Sequence, residues 1–391
     1  MIIPQNPRII KRAEVIIMRE IGVGIIGWGF MGQTHTHALR AIPMFYPGIS
    51  FIPKFVGVCS RDQEKAARAK EMFGFEFSTG DYRELLACPD IEVVSVCTPN
   101  GLHEQMAIDA LKAGKHLYID KPLSTDAASA NRILDAAKGA KGLSQMVFHN
   151  RFFPATMRAK QLIEEGLIGD ILTFSCRYLH AGSIDPARPF GWKQGPEGGV
   201  MLDLGSHALD LVTWLIGAPE RGLCATRTLY DTRPTKEGGT RGDIAEDYVL
   251  MMLKLPGGAL GTVEASKINT GASDVLALEV CGARGALKWD LMNPNWLEFY
   301  DNTLPEQPLG GTRGFTKIEC VGRYPAPGGV FLPSKNTIGW DRGHIHCYYS
   351  FLDCVANGGV PSPSLEDGTR VQGMMERLME SDRVGAWVGL S

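Results

Sequence analysis

The sequence predicts an α/β protein: a doubly wound parallel sheet at the N-terminus, then an α+β half built on a large, mostly antiparallel sheet. Three observations lead there. Residues 23–26 form an apolar run that passes into Gly27, Gly29 and Gly32 at G-x-G-x-x-G spacing, with helix-forming residues 33–41 behind them. Strand-like and helix-like stretches then alternate as far as residue 150, the rhythm of parallel strands joined by crossover helices. Beyond residue 220, apolar runs follow one another across short glycine turns, as consecutive antiparallel strands do.

Taken in order, residues 43–53 interrupt with Pro43, Pro47, Gly48 and Pro53, a longer connection than such a unit needs. Strands follow at 55–59, 93–97, 116–119 and 143–148. Helices lie between them at 62–73, 81–87, 102–113 and 124–137, the last with Ser124 as its cap. The pattern changes after residue 151: a helix at 153–165, a strand at 171–180 and a helix at 201–216. Five strands come next, at 223–229, 248–255, 260–267, 275–281 and 286–289. Residues 302–337 are rich in Gly and Pro and read as loop. Helices at 342–356 and 365–382 close the chain. The expected division is an extension over 1–19, a dinucleotide-binding domain over 20–150 and a substrate and oligomerisation domain over 151–391.

Composition narrows the function classes. With 44% hydrophobic and 21% charged residues the chain is an ordinary globular one. A formal net charge of −3 leaves no basic footprint for nucleic acid. Nine cysteines without a C-x-x-C pair fit a reducing, cytoplasmic setting better than a disulfide framework. No apolar run is long enough to span a bilayer. Residues 1–19 lack the compact apolar core and cleavage site of a secretory leader, and no role is assigned to them.

The glycine turn carries the first functional expectation. Gly27 permits the tight turn, Gly29 lets backbone approach a pyrophosphate, and Gly32 lets helix pack on strand. Phe30 and Met31 complete it at a helix N-terminus, whose free N–H groups and positive dipole end favour an anion. A nicotinamide dinucleotide is expected there. Which one is legible after the second strand, where an acid would hold the ribose 2′-hydroxyl of NAD. Here the order is Cys59-Ser60-Arg61-Asp62, and the hydroxyl of Ser60 with the guanidinium of Arg61 suits the 2′-phosphate of NADP. Asp62 also fits a helix cap, and NAD stays close behind NADP.

Two more strand ends point to ligand, because open α/β sheets bind at their carboxyl edge. One is Cys97-Thr98-Pro99-Asn100-Gly101-Leu102-His103; the other is Asp120-Lys121-Pro122. A lone lysine at such a tip is more often a solvated charge, but the proline after it narrows its backbone freedom. In the segment from Gly198 to Asp210, Asp203 and His207 stand at i, i+4 on a helix, within mutual reach. Taken alone, such a pair is more often a satisfied contact on a buried helix. It is also what a general base requires, with the carboxylate fixing the imidazole's tautomer. It could supply two metal ligands as well, but no third accompanies it and no metal is expected.

Together and in this order, these segments resemble the glucose–fructose oxidoreductase/inositol dehydrogenase/rhizopine-catabolism family over roughly residues 20–390. The resemblance implies a Rossmann domain, an α/β domain whose sheet face often mediates dimers or tetramers, and hydride transfer between a nicotinamide and a secondary alcohol of a sugar or cyclitol. By position, Lys121 matches the family's catalytic lysine, and Asp203 and His207 its Asp–His pair. Thr98, Pro99, Asn100, His103, Asn150 and Arg151 match positions lining the nicotinamide end. Asp120 stands where the family most often has Glu. The Gly29-Phe30-Met31-Gly32 opening and the proline-rich stretch 43–53 are similar to the branch acting on sugars and glycosides, such as levoglucosan or C-glycoside 3-dehydrogenases.

The expected reaction is concerted removal of a proton and a hydride. His207 takes the hydroxyl proton, Asp203 orients the imidazole, and Lys121 stabilises the developing alkoxide. Tyr178, His180, Arg188, Trp192, Lys193, Asp341 and His344 are candidates for the sugar pocket. The expected partners are a sugar, glycoside or cyclitol and further copies of the chain, as a homodimer or homotetramer. Inositol 2-dehydrogenation and redox glycosidase chemistry with a retained nicotinamide are the neighbouring alternatives. A silent nucleotide-binding sensor is the third class, but a sensor need not keep Lys121, Asp203 and His207 together.

Overall fold

A computed structural model describes residues 18–390; most of the expected 1–19 extension lies outside them. The first half runs β1 (Arg19–Ile26), α1 (Phe30–Phe45), β2 (Phe51–Cys59), α2 (Gln63–Phe73), β3 (Phe77–Thr79), α3 (Tyr82–Ala87), β4 (Val93–Val96), α4 (His103–Lys112), β5 (His116–Ile119), α5 (Ala127–Lys138) and β6 (Ser144–Met146). The six strands pair in parallel in the order β3-β2-β1-β4-β5-β6. Strand order reverses beside β1, which opens a crevice at the carboxyl edge between β1 and β4. Both faces of β1 are covered over its last six residues, so its sequence is apolar throughout instead of alternating.

Two local expectations fail here for identifiable reasons. Helix α1 does not stop at residue 41 but runs through Pro43 to Phe45. Proline removes one N–H and crowds the carbonyl four residues back, yet the turn resumes with the Tyr46 N–H donating to the Ile42 carbonyl at 3.0 Å. Tertiary contacts hold it: Tyr46 stacks on Tyr349 with centroids 3.7 Å apart and accepts from Arg342 at 2.6 Å. The long insertion expected over 43–53 therefore shrinks to residues 46–50. The cap of α5 is Asp126, which accepts from the Ser129 N–H at 2.8 Å, and not Ser124.

The second half runs α6 (Pro154–Glu164), β7 (Ile171–Leu179), a π-helical turn (Met201–Gly205), α7 (Ser206–Ile216), β8 (Arg221–Arg227), β9 (Arg233–Pro234), β10 (Thr240–Arg241), β11 (Tyr248–Lys254), β12 (Leu260–Ser266), β13 (Val275–Gly282), β14 (Gly285–Asp290), β15 (Trp296–Asp301), β16 (Phe315–Glu319), α8 (Asp341–Asn357), α9 (Leu365–Val384) and β17 (Val388–Gly389). Nine strands form one sheet in the order β16-β15-β14-β13-β7-β12-β11-β8-β17. Only β7–β12 is parallel within it. The ribbon β9–β10 stands apart. Strand β16 falls in the stretch expected to be loop; it is an edge strand with mostly exposed residues, so it shows no apolar alternation.

Helix α8 crosses back to the first sheet. Its Ile345, Tyr348, Phe351 and Leu352 share one core with Val23, Ile25, Leu39 and Ile42, and Tyr348 stacks on Tyr118 of β5 at 4.0 Å. A boundary at residue 150 thus divides the chain but not its packing. No helix among the described residues is long and apolar enough to cross a membrane.

Candidate active site

A cleft of about 1080 Å3 follows the carboxyl edge of the parallel sheet and reaches the π-turn. Its floor starts at the glycine turn. Gly27 has φ +99°, and a Cβ there would sit 2.8 Å from the Cys97 carbonyl. Gly32 lies inside the turn, where a Cβ would come within 2.1 Å of the Gly27 oxygen; it packs helix on strand and does not line the cleft. Gly29 faces open space, with no atom within 4 Å of where a Cβ would be. It is also the N-cap of α1, with no side chain bonded to the free N–H groups of the first turn. An approach kept clear for ligand and a set of unclaimed donors fit a dinucleotide's pyrophosphate.

Ser60 and Arg61 line the cleft beyond β2. Asp62 caps α2, accepting from the Lys65 N–H at 3.1 Å, and its other oxygen lies 3.5 Å from the Lys65 ammonium. Across the sheet, Thr98, Pro99 and Asn100 line the wall, with Asn100 donating to the Glu197 carbonyl at 2.9 Å. His103 sits behind them, fully buried, each ring nitrogen 2.9 Å from a carbonyl, of Pro122 and of Thr98. It braces two lining loops and touches no part of the cleft itself. Arg151 is likewise a brace: it grips Asp210 of α7 with two donors and reaches Asp367 of α9 at 3.1 Å.

At the inner end the tip of β5 meets the π-turn. Asp120 accepts from the Lys121 N–H at 2.8 Å. The Lys121 ammonium donates to the Asp203 carbonyl at 2.5 Å and to its Oδ1 at 3.1 Å. Lys193 reaches the same carboxylate at 2.9 Å and Lys267 at 3.2 Å. Burial pushes the Asp203 carboxyl up, but the ammoniums of Lys121, Lys267 and Lys193 outweigh it and hold it well below the usual range. His207 lies one turn on. Burial first, and the Lys121 charge second, keep its imidazole neutral far below its ordinary titration.

The expected Asp203–His207 hydrogen bond is not made. Asp203 gives its carboxylate to lysines, and the Nδ1 of His207 lies 3.3 Å from the Asn150 side-chain amide. The reason is the π-turn: i→i+5 bonding widens the helix, so residues four apart no longer stand one above the other. Asn150, expected at the cofactor, is a neighbour of the His207 imidazole.

Of the sugar-pocket candidates, Tyr178, His180, Trp192, Lys193 and His344 line the cleft. Arg188 does not; it is exposed and donates to the Gly182 carbonyl. Asp341 also lies outside, 3.3 Å from His37. Sequence reasoning missed Asp274, Trp340, His149 and Lys236 on the cleft wall, and Lys267 behind it. These come from strand ends and long connections with no spacing that links them. His149 stacks on His344 at 3.7 Å, both neutral through burial.

Comparison with known proteins agrees with this geometry. Residues 21–148 match the GFO/IDH/MocA oxidoreductase family's NAD-binding Rossmann fold, and residues 160–390 match its C-terminal alpha/beta domain. The chain belongs to that family. It is 32% identical to levoglucosan dehydrogenase of Pseudarthrobacter phenanthrenivorans, over 95% of this chain and 98% of that protein. D-glucoside 3-dehydrogenase of Escherichia coli is 25% identical over 86% of this chain and 90% of that one. A solved structure of levoglucosan dehydrogenase with NADH and levoglucosan superposes with a TM-score of 0.90 at 31% identity, over 95% of this chain and all of that one.

Proposed function

We propose that this cleft oxidises a secondary alcohol of a sugar, glycoside or cyclitol, with His207 as base and Lys121 as the cation beside the reacting oxygen. The observation that carries it is the meeting of a lysine from the tip of β5 with Asp203 and His207 from the second half. Nicotinamide, when bound, takes up the hydride. The rest falls to side chains. A neutral His207 accepts the hydroxyl proton without first having to lose one. Acting at Nε2 requires its hydrogen on Nδ1, which places the oxygen of the Asn150 amide, a half-turn from its amino group, against that nitrogen. Asp203 holds Lys121 in place and sets the local charge; it does not orient the imidazole.

At the adenosine end, Ser60 and Arg61 line the cleft beside Asp62, whose carboxylate is already engaged by α2, and this supports NADP alongside NAD. The outer face of the nine-stranded sheet exposes Leu250, Met252 and Leu260, and we place a homodimer or homotetramer contact there. Nine free cysteines fit a cytoplasmic setting. The test is a panel of levoglucosan, methyl β-D-glucoside, D-glucose and myo-inositol with NAD and with NADP, read by absorbance of the reduced cofactor. Turnover of at least one sugar supports the proposal, and silence on all of them refutes it. Release of free sugar from the glycoside with no added nicotinamide and no net reduced cofactor would instead mark the retained-cofactor variant.

A further inference from the structure

Apart from Tyr178 at the end of β7, the sugar side of the cleft is not built on the nine-stranded sheet. It is built on two long connections, residues 180–200 between β7 and the π-turn, and residues 228–247 between β8 and β11. They supply His180, Trp192 and Lys193 from the first, and Lys236 from the second. Backbone bonds knit them together: the Phe190 N–H donates to the Pro234 carbonyl at 2.7 Å, and the Ala245 N–H to the Gln194 carbonyl at 2.8 Å. The Arg241 guanidinium lies over the Phe190 ring at 4.4 Å.

One residue joins the two. Arg233, at 0% exposure, is among the largest fully buried side chains of the molecule. It starts strand β9, yet its guanidinium donates to the Ser183 carbonyl at 2.6 Å and the Asp185 carbonyl at 2.9 Å. Its nearest carboxylate, Asp247, is 3.9 Å away, and Tyr230 packs on its face at 5.0 Å. Tyr230 in turn donates to the Ile184 carbonyl at 2.7 Å. A buried cation held mainly by carbonyls of another segment, with its Nε left without a partner among the described residues, is a poor way to gain stability. What it provides is geometry: the planar fork accepts one arrangement of residues 183–185 and no neighbouring one. Beyond that arrangement the segment delivers Lys193 to Asp203 at 2.9 Å.

We propose that Arg233 is a positioning residue for substrate selection, locking residues 180–200 and 228–247 into one cap that decides which sugar is accepted. This rests on the dehydrogenase proposal above. Arg233 touches neither cofactor residues nor the cleft, so its loss separates sugar recognition from nicotinamide binding.

The experiment uses the full-length enzyme and the two panel sugars it oxidises fastest. In Arg233→Ala the sugar KM rises about tenfold or more while the NADH Kd, read by fluorescence, moves less than about threefold. The ratio of kcat/KM between the two sugars moves toward one, because a loosened cap discriminates less. Arg233→Lys, which keeps the charge but lacks the planar fork that holds both carbonyls, recovers little of either, and full rescue by lysine would overturn the geometric role. If Arg233→Ala does not fold, Tyr230→Phe, which keeps the ring over Arg233 but removes the bond to the Ile184 carbonyl of the same segment, is held to the same outcomes. An active wild type matched by the variant in KM and sugar ratio overturns this inference alone, as does an NADH Kd that weakens in step with KM. A wild type silent on every sugar overturns the dehydrogenase proposal and this inference together.

Discussion

Asp203 is shared by three ammoniums, and two of them differ sharply in setting. The Lys267 side chain is 5% exposed and that of Lys193 48%. Removing one partner of a buried ion pair costs about 3–5 kcal/mol because the other is left uncompensated. Asp203→Asn should therefore lower the melting temperature far more than Lys193→Met, which takes away only a solvated arm. The two residues proposed for the proton transfer and the alkoxide predict a different signature. His207→Ala and Lys121→Ala should each lose about 10²–10⁴ in kcat while NADH still binds; parallel loss of NADH affinity would assign them to scaffold. Because burial and Lys121 hold His207 neutral well below its ordinary pKa, the acid limb of kcat/KM for alcohol oxidation should lie well below pH 6.5. An acid limb at pH 6.5 or above would remove His207 as the base.

At the scale of single elements, Asp126 and the π-turn show where sequence patterns are informative and where they are not. Replacing an N-cap acid by Ala costs about 0.5–2 kcal/mol. Asp126→Ala should shift the unfolding midpoint, and Ser124→Ala should not shift it by loss of that cap; equal shifts would return the cap to Ser124. Most elements were legible because burial imposes a pattern: β5 lies where the buried run Leu117, Tyr118 and Ile119 places it, and Gly74 ends α2 in the left-handed conformation that glycine favours. Pro43 misled because the ring stacking of Tyr46 on Tyr349, more than 300 residues away, overrides a local helix stop. The site divided in the same way. Gly27, Lys121 and His207 sit at strand ends and helix starts that a motif can name. Asp274, Lys267 and Trp340 owe their places to the fold of the second half, which no local spacing encodes. The π-turn is the sharpest case, since one widened turn redirects Asp203 from His207 to the lysines while leaving the sequence helical in appearance.

Across the whole molecule, several imidazoles are buried in the neutral state. Burial lowers His35 to about 4 and His346 to about 3, and holds His149, His207 and His344 well below their ordinary value. Each is depressed on folding, so the unfolded chain binds the extra protons and stability falls as pH drops below about 6.5. Thermal unfolding from pH 8 to pH 5 should show a melting temperature that is flat above 7 and declines through 6, before most carboxylates titrate. A flat profile across that range would mean the imidazoles are solvated. The return of α8 to the first sheet bears on any attempt to take the protein apart. A fragment ending at residue 150 would leave Val23, Ile25 and Tyr118 facing water along a bare apolar flank. The nucleotide module is therefore borrowed property: transplanting it into another enzyme means carrying residues 341–357 along, as a strap fastened from the far end of the polypeptide.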